Sequence, residues 1–362
     1  MKKLLALSLC VVMFATACGN GSTTEAVKLA ETTVAATEAK KENTVVRWNY
    51  GSSGNVFVNI AIEKGYFDEE GITIEPVAAT AVLNALGLLS ANQVDVVSNA
   101  GTSNPLQQIA AGNDFTIFGG HMINGAMPVI AKKGTEWKGV ESLVGEKVAI
   151  NPSYFAFPGA LMEKGYDDPL NQVEWKTFGT YDDALAAVQR GEVKYALMGT
   201  EKNYPISQMD DIEIVSWHSE VMPNYSCCRM ECQTSYLKEN PETIKAIIRA
   251  LLRAQCYYES HKDEAIELTA KKLNTTTEFV AAYMNNPHYF VSVDPLRNQV
   301  KRAWGILDKT NFLDENAKNI NIDDHINTTL YEEALKEAKA KYGAGNEAFY
   351  EKMEKFFNEN DR

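Results

Sequence analysis

From Val45 onward, short runs rich in β-branched and aromatic residues alternate with amphipathic stretches. The runs VVRWNY, ITIEPVAA, VDVVSNA and FTIFGG are separated from one another by segments with helical periodicity. This alternation predicts βαβ units and an α/β fold. A second cycle of the same kind begins near Gly134 and is about as long as the first. The sequence therefore predicts two similar α/β lobes, each a mostly parallel sheet flanked by helices.

The pattern changes after Tyr225, where residues 241–273 and 327–358 form long helical stretches rich in Lys and Glu. Pro241 stands at a plausible first helical position, because that position needs no backbone N–H donor. We expect these helices to pack back on the first lobe. The predicted lobes comprise residues 44–130 with 226–362, and residues 131–225.

The N-terminus has two lysines, an apolar run over residues 4–14 and then small residues before Cys18. That run is far shorter than the roughly 20 residues that span a bilayer, so it predicts a secretory signal over residues 1–17. The letters ATAC resemble a bacterial lipobox, in which cleavage before the cysteine exposes it for lipid attachment. The lipobox pattern prefers Leu where this chain has Ala15, and an ordinary signal cut at Ala17 is the alternative.

Residues 18–43 are rich in Thr, Ala, Glu and Gly, without aromatic residues, and this composition predicts a flexible tether. The net charge of −13 argues against nucleic acid as a partner and against a basic membrane-binding face. We therefore expect any membrane contact to come from the lipid alone.

Several phrases of the folded body resemble one family. They are AIEKGYFDEEGITIEPV, NQVDVVSNAGTSNPLQQIAAG, VESLVGEKVAINP, YDDALAAVQRGEVKYALMG and SYLKENPETIKAIIRALLRA. Together they resemble the solute-binding proteins of the nitrate, sulfonate, taurine and thiamine-precursor group of ABC importers. The phrases occur in the family's order and span nearly the whole body.

The resemblance implies a type II periplasmic-binding-protein fold, in which two crossing strands join two lobes that close like a hinge on a small molecule. It also implies an extracytoplasmic monomer that delivers its ligand to an ABC permease in the cell membrane. No cofactor and no catalytic activity are expected for such a protein.

Ligands of doubly wound sheets bind beyond the carboxyl ends of the strands, where loops expose backbone N–H groups and helix N-termini. Those loops are predicted at residues 50–57, 99–105, 121–127, 151–158 and 199–204. Ser and Asn side chains in them can cap helices, contact the ligand or do both. The candidate ligand-binding residues are Tyr50, Ser52, Ser53, Asn55, Asn99, Thr102, His121, Asn124, Asn151, Tyr154, Phe155, Thr200, Glu201 and Tyr225.

The composition of these loops bears on the ligand. Lys202 is the only Lys or Arg in them, so a sulfonate or nitrate would be held mainly by amides and hydroxyls. The letters SYFAFPG, with Tyr154, Phe155 and Phe157, favour a ring-containing or heteroaromatic ligand stacked on aromatic side chains. Glu201 would suit a basic or heteroaromatic amine. The alternative is that Phe155 and Phe157 pack beneath the loop.

The stretch NYSCCRMECQTSYL holds three of the six cysteines. As a strand, it would place Cys228, Met230 and Cys232 on one face and Cys227, Arg229 and Glu231 on the other. Core packing is the favoured role, because the spacing does not fit a zinc site and the histidines are scattered.

Two other roles for the cysteines stay open. Disulfides from Cys228 to Cys232 or to Cys256 are compatible with an exported protein, whereas a bond between Cys227 and Cys228 would be strained. A pyrimidine-precursor synthase of the same fold also carries a cysteine cluster associated with iron. An enzyme of that kind is the alternative function.

Overall fold

The computed structural model describes residues 43–51, 55–79 and 81–362. The predicted signal peptide, the tether and Cys18 lie outside the described residues, and so do Ser52 and Ser53. Among the described helices, none has the length and the apolar character that crossing a bilayer requires.

Strands and helices alternate through the first two thirds of the described chain, and helices dominate the last third. The strands are β1 Thr44–Asn49, β2 Ile72–Pro76, β3 Val96–Gly101, β4 Phe115–Gly125, β5 Pro128–Lys132, β6 Lys147–Ala149, β7 Glu174–Trp175, β8 Tyr195–Leu197, β9 Ile212–Trp217, β10 Cys228–Gln233 and β11 Tyr289–Val291.

The α-helices are α1 Val56–Glu63, α2 Tyr66–Glu69, α3 Val82–Ser90, α4 Ser103–Ala110, α5 Ala156–Glu163, α6 Pro169–Gln172, α7 Tyr181–Arg190, α8 Asn203–Ser207, α9 His218–Val221, α10 Thr234–Glu239, α11 Pro241–Ser260, α12 Lys262–Leu273, α13 Thr277–Met284, α14 Arg297–Lys309, α15 Thr329–Tyr342 and α16 Glu347–Asn360. Short 3₁₀ helices lie at Val140–Leu143, Pro152–Tyr154, Thr200–Lys202, Glu315–Asn319 and Ile322–His325.

The strands form two sheets, as the sequence predicts. The first has the order β11-β4-β10-β3-β1-β2, and the second has the order β7-β6-β8-β5-β9. The chain passes between them twice, through residues 126–127 after β4 and through residues 218–227 after β9. The predicted lobe boundary at residue 130 falls within β5, so the second sheet already begins at Pro128.

Both sheets are mostly parallel, as predicted, because four of the six strands of the first sheet and four of the five strands of the second run in one direction. β1 runs parallel to β2 and β3, but β10 runs antiparallel to β3 and β4, and β4 antiparallel to β11. In the second sheet β6 is parallel to its neighbours, whereas β5 is antiparallel to β8 and β9. A parallel pair needs a long crossover within one sheet, and β5 and β10 instead enter directly from the other sheet.

The long C-terminal helices pack against the first sheet, as predicted. Ile247 of α11 and Leu335 of α15 are buried in one apolar cluster with Val46 and Trp48 of β1. Pro241 is the first residue of α11, and the predicted stretch 241–273 is divided at His261 into α11 and α12. The C-terminal helices thereby share one apolar core with the first sheet.

Candidate ligand-binding cleft

A cavity of about 460 Å³ is lined by residues from both lobes. Its volume lies in the range of about 300–1,000 Å³ that small-molecule sites occupy. The lining residues are Asn99, Gly101, Ser103, Asn104, Met122, Met127, Tyr154, Tyr181, Gly199, Thr200, Glu201, His218, Tyr225, Cys227, Cys228, Leu273, Phe279, Tyr283 and Tyr289.

On the first-lobe side, the turn from β3 into α4 supplies Asn99, Ser103 and Asn104. Gly51 packs directly against Asn99, and a Cβ on Gly51 would collide with the Asn99 amide group. Gly51 also has φ +72°, in the left-handed region that glycine adopts without strain. The absence of a side chain at Gly51 therefore leaves room for the Asn99 amide group.

Cys227 and Cys228 both line the cavity, with their Sγ atoms 3.6 Å apart. The prediction that they lie on opposite faces is wrong, because β10 begins only at Cys228 and Cys227 lies before it, next to Ser226 with φ +62°. The predicted core packing of Met230 and Cys232 is confirmed, because both side chains are buried in the apolar core. All four described cysteines are free thiols in this structure.

On the second-lobe side, aromatic side chains form the wall. Tyr225 donates a hydrogen bond from its hydroxyl to the backbone oxygen of Tyr154, at 3.0 Å. Phe155 stacks on Tyr225 with ring centroids 4.5 Å apart, and only 1% of Phe155 is exposed. Phe157 is fully buried. The two phenylalanines thus pack beneath the wall, which is the alternative that the sequence left open.

His218 and the tyrosines that line the cavity are neutral around pH 7. Burial lowers the pKa of His218 to about 3, so its imidazole carries no proton charge. Burial likewise raises the pKa of the cavity's tyrosines, and their hydroxyls stay protonated. These tyrosines are Tyr154, Tyr181, Tyr225, Tyr283, whose pKa is about 12, and Tyr289.

Glu201 is the acidic residue of the cavity, and no Lys or Arg appears among the described lining residues. It lies in the 3₁₀ turn after β8, next to Thr200, whose hydroxyl donates to the backbone oxygen of Gly125 at 2.6 Å. The neighbouring Lys202 is ion-paired with Asp182 at 2.6 Å. Lys202, the only Lys or Arg in the predicted loops, is therefore ion-paired outside the cavity lining.

The structure brings five of the candidate residues to the cavity, namely Asn99, Tyr154, Thr200, Glu201 and Tyr225. Asn55 instead caps α1, because its Oδ1 accepts the Val58 N–H at 3.2 Å, while its Nδ2 donates to Ser98 at 3.0 Å. Thr102 is fully buried and donates its hydroxyl hydrogen bond to the backbone oxygen of Ser226.

His121 and Asn124 were expected in a loop, and the structure corrects this: both lie within β4. His121 is fully buried with its ring edge-on to Phe57, and Asn124 is paired across the ladder with Phe290 of β11. The strand extends further than the sequence suggested because β10 and β11 supply ladder partners on its two sides.

Two further candidates lie near the cavity but not in its lining. Tyr50 packs against Trp48 with ring centroids 6.5 Å apart. Asn151 accepts the Ser153 N–H at 3.0 Å and so caps the turn that precedes α5. It faces a smaller adjoining pocket of about 190 Å³, which shares Tyr154 and Tyr181 with the main cavity.

Sequence reasoning missed several lining residues. Tyr181 follows β7 at the start of α7, so the rule about strand ends could have found it. Phe279, Tyr283 and Tyr289 come from α13 and β11, far along the chain, and no local signal connects them with the cleft. Within the described residues, no group of three or more His, Cys, Asp and Glu side chains is arranged to hold a metal ion.

Two mixed sheets, joined by two passages of the chain with a cavity between them, define the class of periplasmic-binding-protein folds. The periplasmic aliphatic sulphonate binding protein SsuA from Escherichia coli is similar, with a TM-score of 0.65 and 19% identity over 78% of this chain and 92% of that chain. The alkanesulfonate-binding protein SsuA from Xanthomonas axonopodis pv. citri, bound to MOPS, has a TM-score of 0.63 and 16% identity, over 80% and 99% of the two chains.

Residues 55–265 match the profile of the NMT1/THI5-like family, and the chain belongs to that family. No curated protein matches it in sequence. The desulfurization enzyme DSZB is also similar in structure, with a TM-score of 0.58 and 13% identity over 82% of this chain and 99% of that chain. Because an enzyme shares this fold, the fold by itself does not decide between binding and catalysis.

Proposed function

We propose that this chain is the extracytoplasmic solute-binding lipoprotein of an ABC importer. Family membership and the cavity between the lobes support solute capture, and the N-terminal sequence supports export and a lipid on Cys18. The permease is the partner that receives the solute. Replacing Cys18 by Ser should release the protein from the membrane fraction, and a variant that stays with the membrane would contradict the lipid anchor.

The ligand that this cavity suits is a small ring-containing solute with a basic or heteroaromatic amine. This proposal rests on the composition of the cavity lining. The lining contains Tyr and Phe side chains and the carboxylate of Glu201, and its described residues include no Lys or Arg. Aromatic faces favour planar rings and cations, and a carboxylate favours a protonated or N–H-bearing group. A sulfonate or nitrate would meet no Lys or Arg side chain among the described residues of the lining.

Capture would proceed by hinge closure. Tyr283 and Cys228 face the cavity from the first lobe, whereas Tyr154 and Glu201 face it from the second. A solute in contact with both walls binds the closed form better than the open form, and it stabilises closure by that difference in affinity. The permease would then recognise the closed form.

A thermal-shift screen tests the ligand class. The purified protein is heated with aromatic amines and aminopyrimidines, with neutral ring analogues of the same size, and with taurine, alkanesulfonates and nitrate. A ligand at a hundredfold excess over Kd adds about 2.7 kcal/mol to the free energy of unfolding. We expect the largest shift from the ring amines. A shift with sulfonates or nitrate alone would overturn the proposed ligand class.

Glu201→Gln removes the carboxylate charge and keeps the shape of the side chain. We expect it to weaken binding of a ring amine about tenfold to a hundredfold, because a hydrogen bond to a charged group contributes about 1.5–3 kcal/mol. Binding of the neutral ring analogue should change little. Glu267→Gln is the matched control, since Glu267 is exposed on α12 away from the cavity.

The alternative function is a synthase-like enzyme that uses the cysteines and iron. Recovery of the solute after prolonged incubation separates the two functions. A binding protein returns it unchanged with or without added iron(II), whereas consumption of the bound compound that depends on iron would favour the enzyme.

A further inference from the structure

Cys227, the residue before β10, and Cys228, the first residue of β10, present their side chains to the same cavity. Successive side chains in a regular strand point to opposite faces, so Cys227 and Cys228 would normally be separated by the strand itself. Here Cys227 lies outside the regular strand, next to Ser226 with φ +62°. This arrangement brings the Sγ atoms to 3.6 Å from each other, with both residues half-buried at the cavity wall.

Backbone hydrogen bonds hold this arrangement in place. The Cys227 N–H donates to the Ile123 oxygen at 3.1 Å, and the Thr102 N–H donates to the Cys227 oxygen at 2.8 Å. The buried hydroxyl of Thr102 donates to the backbone oxygen of Ser226. Hydrogen bonds from β4 and from the turn before α4 therefore fix the irregular backbone, and this backbone holds the two thiols close together.

The two thiols are not equivalent. Cys228 donates a hydrogen bond to the sulfur of Cys227, which lowers the pKa of Cys227, and the nearby guanidinium of Arg229 acts in the same direction. The same hydrogen bond raises the pKa of Cys228, and its burial adds to that rise. A thiolate is the nucleophile in thiol chemistry, so Cys227 is the attacking sulfur and Cys228 the second one.

We propose that Cys227 and Cys228 form a thiol–disulfide exchange site inside the cleft, whose substrate is a small organic disulfide. The proposal goes beyond solute capture and holds whichever solute the importer carries. The cavity is large enough for a small disulfide, and its aromatic walls suit one with rings.

The exchange proceeds in two substitutions. The Cys227 thiolate attacks one sulfur of the disulfide, the S–S bond breaks, and the first thiolate leaves and takes up a proton. Cys228 then loses its proton and attacks Cys227 Sγ, which breaks the mixed disulfide and releases the second thiol. The protein pair loses two hydrogens and two electrons, and the small disulfide becomes two thiols. Neighbouring Cα atoms are only about 3.8 Å apart, so the ring is strained and readily reduced again.

The test uses dipyridyl disulfide, a neutral aromatic probe whose released thiopyridone is measured by absorbance. The full chain carries Cys10→Ser, Cys18→Ser and Cys256→Ser, which leaves the cleft pair and the fully buried Cys232. We expect two thiopyridones per protein. Peptide mapping should find Cys227 and Cys228 joined to each other, with no pyridyl group left on either.

Single variants identify the attacking sulfur. With Cys228→Ser added, one thiopyridone should be released and one pyridyl group should remain on Cys227. With Cys227→Ser added, the reaction should slow by about tenfold or more, because the thiol with the raised pKa is left. Circular dichroism checks that each variant is folded. A pyridyl group on each cysteine of the background protein, equal rates in the two variants, or no reaction before unfolding would each overturn the proposal.

Discussion

The two walls of the cleft are supported by different kinds of interior. Behind Cys227 and Cys228, the strand β10 continues into Arg229 and Glu231, two ionisable side chains with no exposed surface. Arg229 donates to the backbone oxygens of Asp294, at 2.6 Å, and Met122, at 2.9 Å, whereas both carboxyl oxygens of Glu231 lack a hydrogen-bond partner. The thiol wall therefore rests on buried polar groups.

Behind Tyr154 and Tyr225, in contrast, the interior is aromatic. Phe155 stacks on Tyr225, and Phe157 lies edge-on to His218 with centroids 5.6 Å apart. Packing of this kind carries no titrating charge around neutral pH. The stability of the aromatic wall should therefore vary little with pH around neutrality, whereas the stability and reactivity of the thiol wall depend on protonation.

The largest expected effect is on the aromatic side. Phe155→Ala should lower the free energy of unfolding by about 3–5 kcal/mol, because it leaves a cavity under Tyr225. Urea unfolding measures the loss, and Phe155→Leu, which keeps most of the volume, is the control. An unchanged stability in the alanine variant would mean that the aromatic wall is not held by packing.

On the thiol side, Arg229→Met should cost about 3 kcal/mol, since it removes two charge-assisted hydrogen bonds and leaves the oxygens of Asp294 and Met122 unpaired. It should also slow exchange at Cys227, whose pKa the guanidinium lowers. Urea unfolding and the thiopyridone assay measure the two effects. A stable variant with an unchanged rate would remove the distinction between the walls.

The pH dependence of stability sharpens the comparison. Burial raises the pKa of Glu231 well above its usual range, so the folded protein keeps a proton that the unfolded chain loses above about pH 4.3. This group therefore makes stability fall as pH rises, by up to about 1.4 kcal/mol per pH unit. Glu231→Gln removes that contribution.

We expect the free energy of unfolding of Glu231→Gln, minus that of the unmodified protein, to increase from about pH 5 to about pH 7. Urea unfolding at the two pH values measures this difference. The glutamine matches the shape of the protonated acid, so the two proteins should be close in stability at the lower pH. A difference that stays constant with pH would show that Glu231 does not change its protonation on folding in this range.

The smallest effect concerns one hydroxyl. Tyr154 and Tyr181 line the cleft together, and the hydroxyl of Tyr154 interacts with Tyr181. Tyr154→Phe keeps the ring and should cost about 1 kcal/mol in ligand binding through the loss of that positioning contact. Titration with the best compound of the thermal-shift screen measures it, and Tyr154→Ala should lose more because the ring itself is removed.

Local patterns in the sequence were enough to predict the architecture. The alternation of strand and helix patterns after Val45 predicted two α/β lobes, and the amphipathic stretch after Pro241 predicted helices packed on the first one. Both signals are local, because a helix or strand must bury its apolar face at a fixed period. The family phrases likewise persist in the sequence, and residues 55–265 match the family.

Only the tertiary structure decided which side chains meet in the cleft. His121 became part of a strand because distant strands pair with β4, and Tyr283 entered the lining from a helix far along the chain. Cys227 and Cys228 lie side by side because Cys227 precedes β10 and is held by backbone hydrogen bonds to Ile123 and Thr102. Register shifts and long-range strand pairing depend on partners that are remote in sequence, and no local periodicity encodes them.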